Sequence, residues 1–175
     1  MKKYFKIIII LFLILPKLTF ADEKVKIGLL VPISGENKDL GDLIIKSTRL
    51  ALKDINDEKI EIHLKDTGSS PKKTLASAIE FVEMGINIVI GPVFYKNLEY
   101  LSELDNIIFI SLTNKTLNLP KNVISAGINA TSQLNTIKKF VEENDINKTI
   151  FLTPKVDYEA EIKKAIKESK IKYYK

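Results

Sequence analysis

The fold is decided by the stretch Ile27-Gly28-Leu29-Leu30-Val31-Pro32, near the beginning of a chain of 175 residues. The five residues before the proline carry no polar side chain, which is typical of a parallel strand that is covered on both faces. Proline ends the strand because it lacks the N–H that strand pairing uses. The sequence therefore predicts a buried parallel strand over 24–31.

Helices and strands alternate after this strand. Apolar residues at helical spacing from Leu43 to Ile55 predict an amphipathic helix that packs on the sheet. Ile60, Ile62 and Leu64 alternate with polar residues, which predicts an edge strand. The next predicted elements are a helix, strand, helix and strand over 71–85, 86–90, 94–104 and 107–111. This order predicts an α/β fold with a doubly wound parallel sheet, as in a Rossmann-like lobe.

A longer loop over 112–122 predicts a boundary between two lobes. We expect the first α/β lobe to span 22–122 and the start of a second α/β lobe to span 123–175. In the second part we predict strands over 123–127, 149–153 and 170–174, and helices over 131–143 and 158–168. These elements cannot cover both faces of their own sheet, so we expect an incomplete second lobe and a truncated gene product or fragment.

The amino terminus has the pattern of a secretory signal peptide. Three lysines precede the apolar run Ile7 to Leu15, and Ala21 stands where a signal peptidase cleaves. We expect residues 1–21 to be removed, leaving a periplasmic chain without a stable membrane anchor. Residues 1–21 also hold four of the 27 Lys and Arg, against 22 Asp and Glu in the chain. Cleavage removes most of the positive excess, so we expect no nucleic-acid partner.

No set of residues indicates catalysis. The chain has no cysteine and one histidine, His63, on the polar face of a predicted strand, where we expect it to be solvated. The motifs of serine hydrolases, metal sites and phosphate-binding loops are absent from the sequence. We therefore expect neither an enzyme nor a cofactor or metal.

Polar residues follow three predicted strands at their carboxyl ends, the edge where open parallel sheets bind ligands. They are Ser34-Gly35, Gly91 to Tyr95, and Ser111 to Asn114. Hydroxyls and free backbone N–H groups suit a carboxylate or another small anion. The alternative interpretation is that Ser34, Ser111, Thr113 and Asn114 only cap helices or form turns.

The order of these motifs resembles the type I periplasmic binding proteins of the branched-chain amino-acid receptor group, the leucine-binding proteins, from Lys26 to about Lys170. The resemblance lies in residues 27–35, 66–71, 88–92, 109–114 and 127–133. The domain found in penicillin-binding protein activators is also similar. It shares the fold and the style of third loop that is seen here in Gly91-Pro92-Val93-Phe94.

The resemblance to the receptors implies a ligand site. It places ligand contacts on the third and fourth loops and on an aromatic residue of the second lobe. Together with the rim pattern, the candidate residues are Ser34, Val93, Phe94, Tyr95, Ser111, Thr113, Asn114 and Tyr158. Two departures are visible: the third loop lacks the serines that are usual in the receptors, and Glu159 stands where a glycine is common.

The resemblance implies two functions. The first is an extracytoplasmic solute-binding protein that closes two lobes on a small polar solute, such as an amino acid, and passes it to an ABC permease. The alternative is an activator-like interaction protein that regulates peptidoglycan synthesis through a cell-wall synthase. Phe94 and Tyr95, in place of small hydroxyl residues, favour the alternative.

Overall fold

A computed structural model describes residues 24–153, 155 and 158–172. The predicted signal peptide over 1–21 lies outside these residues. The strands are β1 (Val25–Val31), β2 (Ile60–Asp66), β3 (Ile88–Ile90), β4 (Ile108–Ser111) and β5 (Val123–Ser125). The helices are α1 (Lys38–Ile55), α2 (Pro71–Glu83), α3 (Ala130–Glu143) and α4 (Glu159–Ser169), and two 3₁₀ turns cover Tyr95–Leu98 and Leu101–Glu103.

The five strands form one parallel sheet in the order β2-β1-β3-β4-β5. β1 and β2 pair over seven residues, from Val25 opposite Ile60 to Val31 opposite Asp66. The parallel α/β fold and the edge position of β2 are confirmed. Because all strands run the same way, the loops after β1, β3 and β4 leave the sheet at one edge, where the candidate residues were predicted.

The main core lies on one face of the sheet. Leu30, Val89 and Phe109 project from β1, β3 and β4 and are fully buried with Phe81 of α2. Leu98 and Leu101 of the 3₁₀ turns complete this cluster. A second, smaller cluster joins α3 to α4.

Helix α1 approaches the sheet through Gly41, its one buried residue. A Cβ atom on Gly41 would lie 1.7 Å from the carbonyl oxygen of Pro32, so only glycine allows this approach. The sequence pattern placed Leu43, Leu50 and Ile55 on the face that packs on the sheet. That prediction is wrong for these three residues, which are exposed.

Several other local predictions differ from the structure. The predicted helix over 94–104 is the pair of 3₁₀ turns, and residues 149–153 form no strand. The cap of α3 is Asn129, whose side chain accepts a hydrogen bond from the N–H of Ser132, and not Thr131. Residues 171–172 are not in a strand, and the rest of the predicted last strand, 173–175, lies outside the described residues.

The first sheet extends past the predicted boundary at 122/123. Val123 pairs with Phe109, and β5 is therefore the fifth strand of the first sheet rather than the beginning of a second lobe. Val123 is buried in the main core. Burial of this apolar side chain favours the pairing of β5 with the first sheet. That the region after β5 begins a second lobe stays a prediction.

Candidate functional site

Asp66, the last residue of β2, organises the loop after β1. Its Oδ1 accepts hydrogen bonds from the N–H groups of Ile33 at 2.7 Å, Ser34 at 3.2 Å and Gly68 at 2.8 Å. Its Oδ2 accepts hydrogen bonds from the hydroxyl of Ser34 and from the ammonium of Lys73. Partial burial raises the pKa of Asp66, but these donors outweigh that effect and hold the pKa well below its usual range.

This network changes the role expected of Ser34. Its hydroxyl donates to Asp66 at 2.5 Å and accepts from Lys73 at 3.3 Å, so both functions of the hydroxyl are engaged within the chain. The sequence interpretation missed Asp66 as a rim residue. The sequence feature that could have indicated this role is an aspartate at the carboxyl end of an edge strand, next to the strand that the Ser34-Gly35 loop follows.

Ser111, at the end of β4, is inaccessible to solvent. Its exposed fraction is 0%, and its hydroxyl donates to the carbonyl oxygen of Pro92 at 2.7 Å. The hydroxyl oxygen of Ser111 also accepts the N–H of Thr113 at 3.3 Å. Ser111 therefore ties the third loop to the fourth loop.

Thr113 is also buried, with an exposed fraction of 3%. Its hydroxyl oxygen accepts the N–H of Lys115 at 3.3 Å, and its carbonyl oxygen accepts the hydroxyl of Ser125 at 2.8 Å. These bonds connect the fourth loop to the end of β5. These hydrogen bonds within the chain support the interpretation that Ser111 and Thr113 form turns.

The third loop presents aromatic and basic groups to the rim. Val93, Phe94 and Tyr95 are half-buried. The ammonium of Lys115 lies 4.1 Å from the centre of the Tyr95 ring, which is within the range of a cation–π interaction. Tyr95 and Lys115 together cover the rim between the third and fourth loops.

Asn114 and Tyr158 are the two predicted residues that line one cavity. This inner cavity has a volume of about 90 Å³, and its other lining residues are Lys115, Ala130, Gln133, Glu161 and Ile162. Glu161 of α4 accepts the N–H of Thr116 at 3.1 Å, which links the fourth loop to α4. Pockets for small molecules usually measure about 300–1,000 Å³, so the inner cavity is small for an amino acid.

A larger outer cavity of about 480 Å³ opens beside the rim. Its lining residues come from the loop after β2, the start of α2, the first 3₁₀ turn with the residue after it, and the loop after β4: Ser69, Pro71, Tyr95, Lys96, Leu98, Glu99, Asn118 and Pro120. Among the predicted site residues, Tyr95 alone lines it. The sequence interpretation missed this cavity because its walls meet only after the strands are placed in the order β2-β1-β3-β4.

Within the part of the chain that the structure describes, no three acidic or histidine side chains gather as metal ligands would. The same residues include no helix that combines the length and apolar character of a membrane span. His63 is largely buried rather than solvated, and its Nε2 lies 3.1 Å from a carboxylate oxygen of Glu61. The expectation of a solvated histidine was therefore wrong.

In a parallel α/β sheet, the carboxyl edge where the connecting loops gather polar groups is the place where ligands bind. Residues 24–170 match the sequence model of the family described as periplasmic binding protein, and the chain belongs to this family. Members of this family are binding proteins, and membership points to an extracytoplasmic location.

Among curated proteins, the chain is similar to a Leu/Ile/Val-binding protein homologue of Brucella abortus, with 36% identity over 73 residues. That match covers 38% of this chain and 20% of the relative. The Leu/Ile/Val-binding protein BraC3 of Rhizobium johnstonii is 32% identical over 79 residues, which are 42% of this chain and 22% of the relative. The matches thus span about a fifth of the length of these relatives.

Two kinds of solved structure have a similar fold. The LpoA C-domain of Haemophilus influenzae, a regulator of PBP1A, has a TM-score of 0.65 and 20% identity over 85% of this chain and 50% of that chain. The leucine-binding protein LivK of Thermotoga maritima has a TM-score of 0.57 and 16% identity over 86% of this chain and 49% of that chain. The resemblances to the receptor group and to the activator domain are both confirmed at the level of fold.

Proposed function

We propose that the protein works through contacts with another protein, as an extracytoplasmic interaction protein of the penicillin-binding protein activator kind. The observation that carries this proposal is the state of the two rim hydroxyls. Both residues are buried; the Ser111 hydroxyl donates to the carbonyl oxygen of Pro92, and the Thr113 hydroxyl oxygen accepts the N–H of Lys115. A receptor for a carboxylate ligand needs its hydroxyl donors exposed at the rim, because a hydrogen bond to a charged group contributes about 1.5–3 kcal/mol.

The outer cavity offers a surface of the kind that protein partners use. Pro71, Tyr95, Leu98 and Pro120 provide apolar walls, and Lys96 and Glu99 add charges. Interfaces between proteins typically centre on an aromatic or aliphatic side chain that enters a desolvated pocket, surrounded by a polar rim. Tyr95, which lines this cavity, also forms the cation–π pair with Lys115.

The test is a binding measurement between the purified protein and a bifunctional penicillin-binding protein from the same source, for example by biolayer interferometry. We expect saturable binding that weakens at least about tenfold in the variant Lys96→Glu and in Lys115→Glu, because a wrong charge at an interface is costly. The control is Lys148→Glu, which changes an exposed lysine far along the sequence. Absence of binding by the unsubstituted protein would refute the proposal.

The second candidate function is binding of a small polar solute for ABC transport. The inner cavity supports it, because Asn114, Gln133, Tyr158 and Glu161 supply hydrogen-bonding groups of both kinds. Similarity to Leu/Ile/Val-binding proteins adds support. A hinge motion that separates the fourth loop from α4 would open this cavity, at the cost of the bond between Thr116 and Glu161.

Calorimetric titration with leucine, isoleucine and valine separates the two functions. The interaction function predicts no heat of binding, whereas the transport function predicts binding that Asn114→Ala and Tyr158→Ala weaken. Ser34→Ala is the matched control, because Ser34 is engaged with Asp66 rather than with the inner cavity. Amino-acid binding that these two variants abolish, without binding to the synthase, would establish the second function.

A further inference from the structure

Strand β2 is an end strand of the sheet, and its two ends show which of its backbone groups face outward. The carbonyl oxygen of Lys59 accepts an N–H of β1, and the N–H of Thr67 donates to a carbonyl oxygen of β1. Because backbone groups alternate in direction along a strand, the odd-numbered residues face β1, and Ile62 and Leu64 direct their N–H and C=O groups outward. Among the residues that the structure describes, none is hydrogen-bonded to these outward groups.

An end strand of this length is suited to pairing with another strand. β2 has seven residues, whereas β5 at the opposite end of the sheet has three. The unpaired N–H and C=O groups of an edge strand form a template on which a strand of another chain can add. We name the row of outward backbone groups over residues 60–66 the β2 edge.

The sequence of β2 has a self-complementary pattern about its central residue, His63. In an antiparallel pair of two copies centred on His63, Glu61 of one copy lies opposite Lys65 of the other. In the same pair, Ile62 of one copy lies opposite Leu64 of the other, and their outward N–H and C=O groups bond to each other. Opposite charges and apolar residues in such directly opposed positions stabilise a pair of strands.

The neighbouring registers lose this match. A centre on Ile62 would set Lys59 opposite Lys65, and like charges in opposed positions are destabilising. A centre on Leu64 would set Lys65 opposite His63, without the pair of opposite charges. The side chains of β2 therefore favour the register that is centred on His63.

Charged groups beside Glu61 and Lys65 within one chain extend the pattern. The ammonium of Lys24 lies 3.9 Å from a carboxylate oxygen of Glu61, and Lys65 forms an ion pair with Glu80 of α2. Across the proposed contact the signs alternate in the order Lys24, Glu61, Lys65, Glu80, where the last two belong to the second copy. Lys26, which is opposite Glu61 in the pairing of β1 with β2, stands one strand further from the contact.

We propose that the β2 edge is the contact between two copies of this chain, which pair antiparallel about His63 and join their sheets into one. Such a contact is isologous, because a two-fold axis makes each interaction twice. The self-complementary pattern specifies a second copy as the partner, since another partner would not require the two halves of β2 to match. The proposal is independent of the function proposed above, because no residue of β2 lines the outer or the inner cavity.

Sedimentation of the purified protein over a range of concentrations measures the association. We expect an equilibrium of monomer and dimer whose dissociation constant rises at least about tenfold in Glu61→Lys and in Lys65→Glu, because each change sets like charges opposite each other twice. The two substitutions combined in one chain restore opposite charges and should return most of the affinity. The control, Lys148→Glu, changes an exposed lysine outside β2 and should leave the dissociation constant unchanged.

Two outcomes of the sedimentation experiment would overturn the proposal. One is a protein that is monomeric at every concentration measured. The other is a dimer that the single substitutions leave intact, or that the combined substitutions do not restore although circular dichroism shows a folded chain. Recovery by the combined substitutions would not follow from a role of these charges within one chain, because both ion pairs with Lys24 and Glu80 are then reversed.

Introduced cysteines test the register directly, since the chain has no cysteine of its own. We expect Glu61→Cys mixed with Lys65→Cys to form disulfide-linked pairs on mild oxidation, because opposed residues of this kind have Cα atoms about 4.5 Å apart. Each variant alone is the matched control. Its two thiols lie four positions apart along the paired strands, or about 13 Å, and should not link. Equal linkage in the mixture and in the single variants would contradict the proposed register.

Discussion

Replacement of Asp66 tests whether one carboxylate holds the rim together. In Asp66→Ala, the N–H groups of Ile33 and Gly68 lose their partner in partly buried positions, whereas the exposed N–H of Ser34 can turn to water. Each of the two partly buried donors costs about 1–1.5 kcal/mol, so we expect a loss of about 2–3 kcal/mol in the free energy of unfolding. Urea unfolding followed by circular dichroism measures this loss.

Asp66→Asn separates the hydrogen bonds from the charge. The amide oxygen can still accept from Ile33 and Gly68, but the amide nitrogen faces the ammonium of Lys73 and cannot accept from it. We expect a smaller loss, about 1 kcal/mol. The exposed Asp105→Ala serves as the control and should stay within about 0.5 kcal/mol of the unsubstituted protein.

The pH dependence of the free energy of unfolding tests the contribution of the Asp66 charge. The pKa of Asp66 is lower in the folded protein than the value of about 3.9 in an unfolded chain, so the carboxylate stabilises the fold fully above about pH 5. That contribution is lost as the pH falls below about 4 toward the folded pKa. The stability difference between the unsubstituted protein and Asp66→Asn should therefore shrink in acid. A difference that is equal at pH 7 and pH 3, or equal losses in the Ala and Asn variants, would refute this reasoning.

Three further substitutions test the local structure by urea unfolding. Gly41→Ala should cost about 1–3 kcal/mol, because its methyl group would meet the carbonyl of Pro32, and a neutral result would mean that α1 shifts freely. Ser111→Ala should cost about 1 kcal/mol through a lost buried hydrogen bond, and an unchanged stability would argue against the observed bond. Asn129→Ala should cost about 1 kcal/mol as the cap of α3, while Thr131→Ala should cost less.

The sheet was predictable because its signals are local. The continuous apolar run before Pro32 and the alternation in β2 each follow from how a strand is covered, and both strands occupy the predicted places. The connection between β3 and β4 was less predictable. Its apolar residues fit a helix, but Leu98 and Leu101 reach the core from two short 3₁₀ turns, which an apolar spacing of three residues equally allows.

The candidate site was predictable in position but not in chemistry. Strand order alone places Ser34, Ser111 and Thr113 at one edge, because parallel strands end together. Whether a hydroxyl faces a ligand or its own backbone depends on neighbours that are distant in sequence. Asp66 is 32 residues from Ser34, and Pro92 is 19 residues from Ser111. No spacing rule within either loop contains this information.

Helix α1 explains a different kind of error. The sequence pattern joined Leu43, Ile44 and Leu50 into one apolar face, although Ile44 is half-buried and the two leucines are exposed. Hydrophobic periodicity reflects every surface that a helix buries in its working state, including surfaces covered by a partner. Periodicity alone therefore does not tell which part of an apolar arc faces the helix's own sheet.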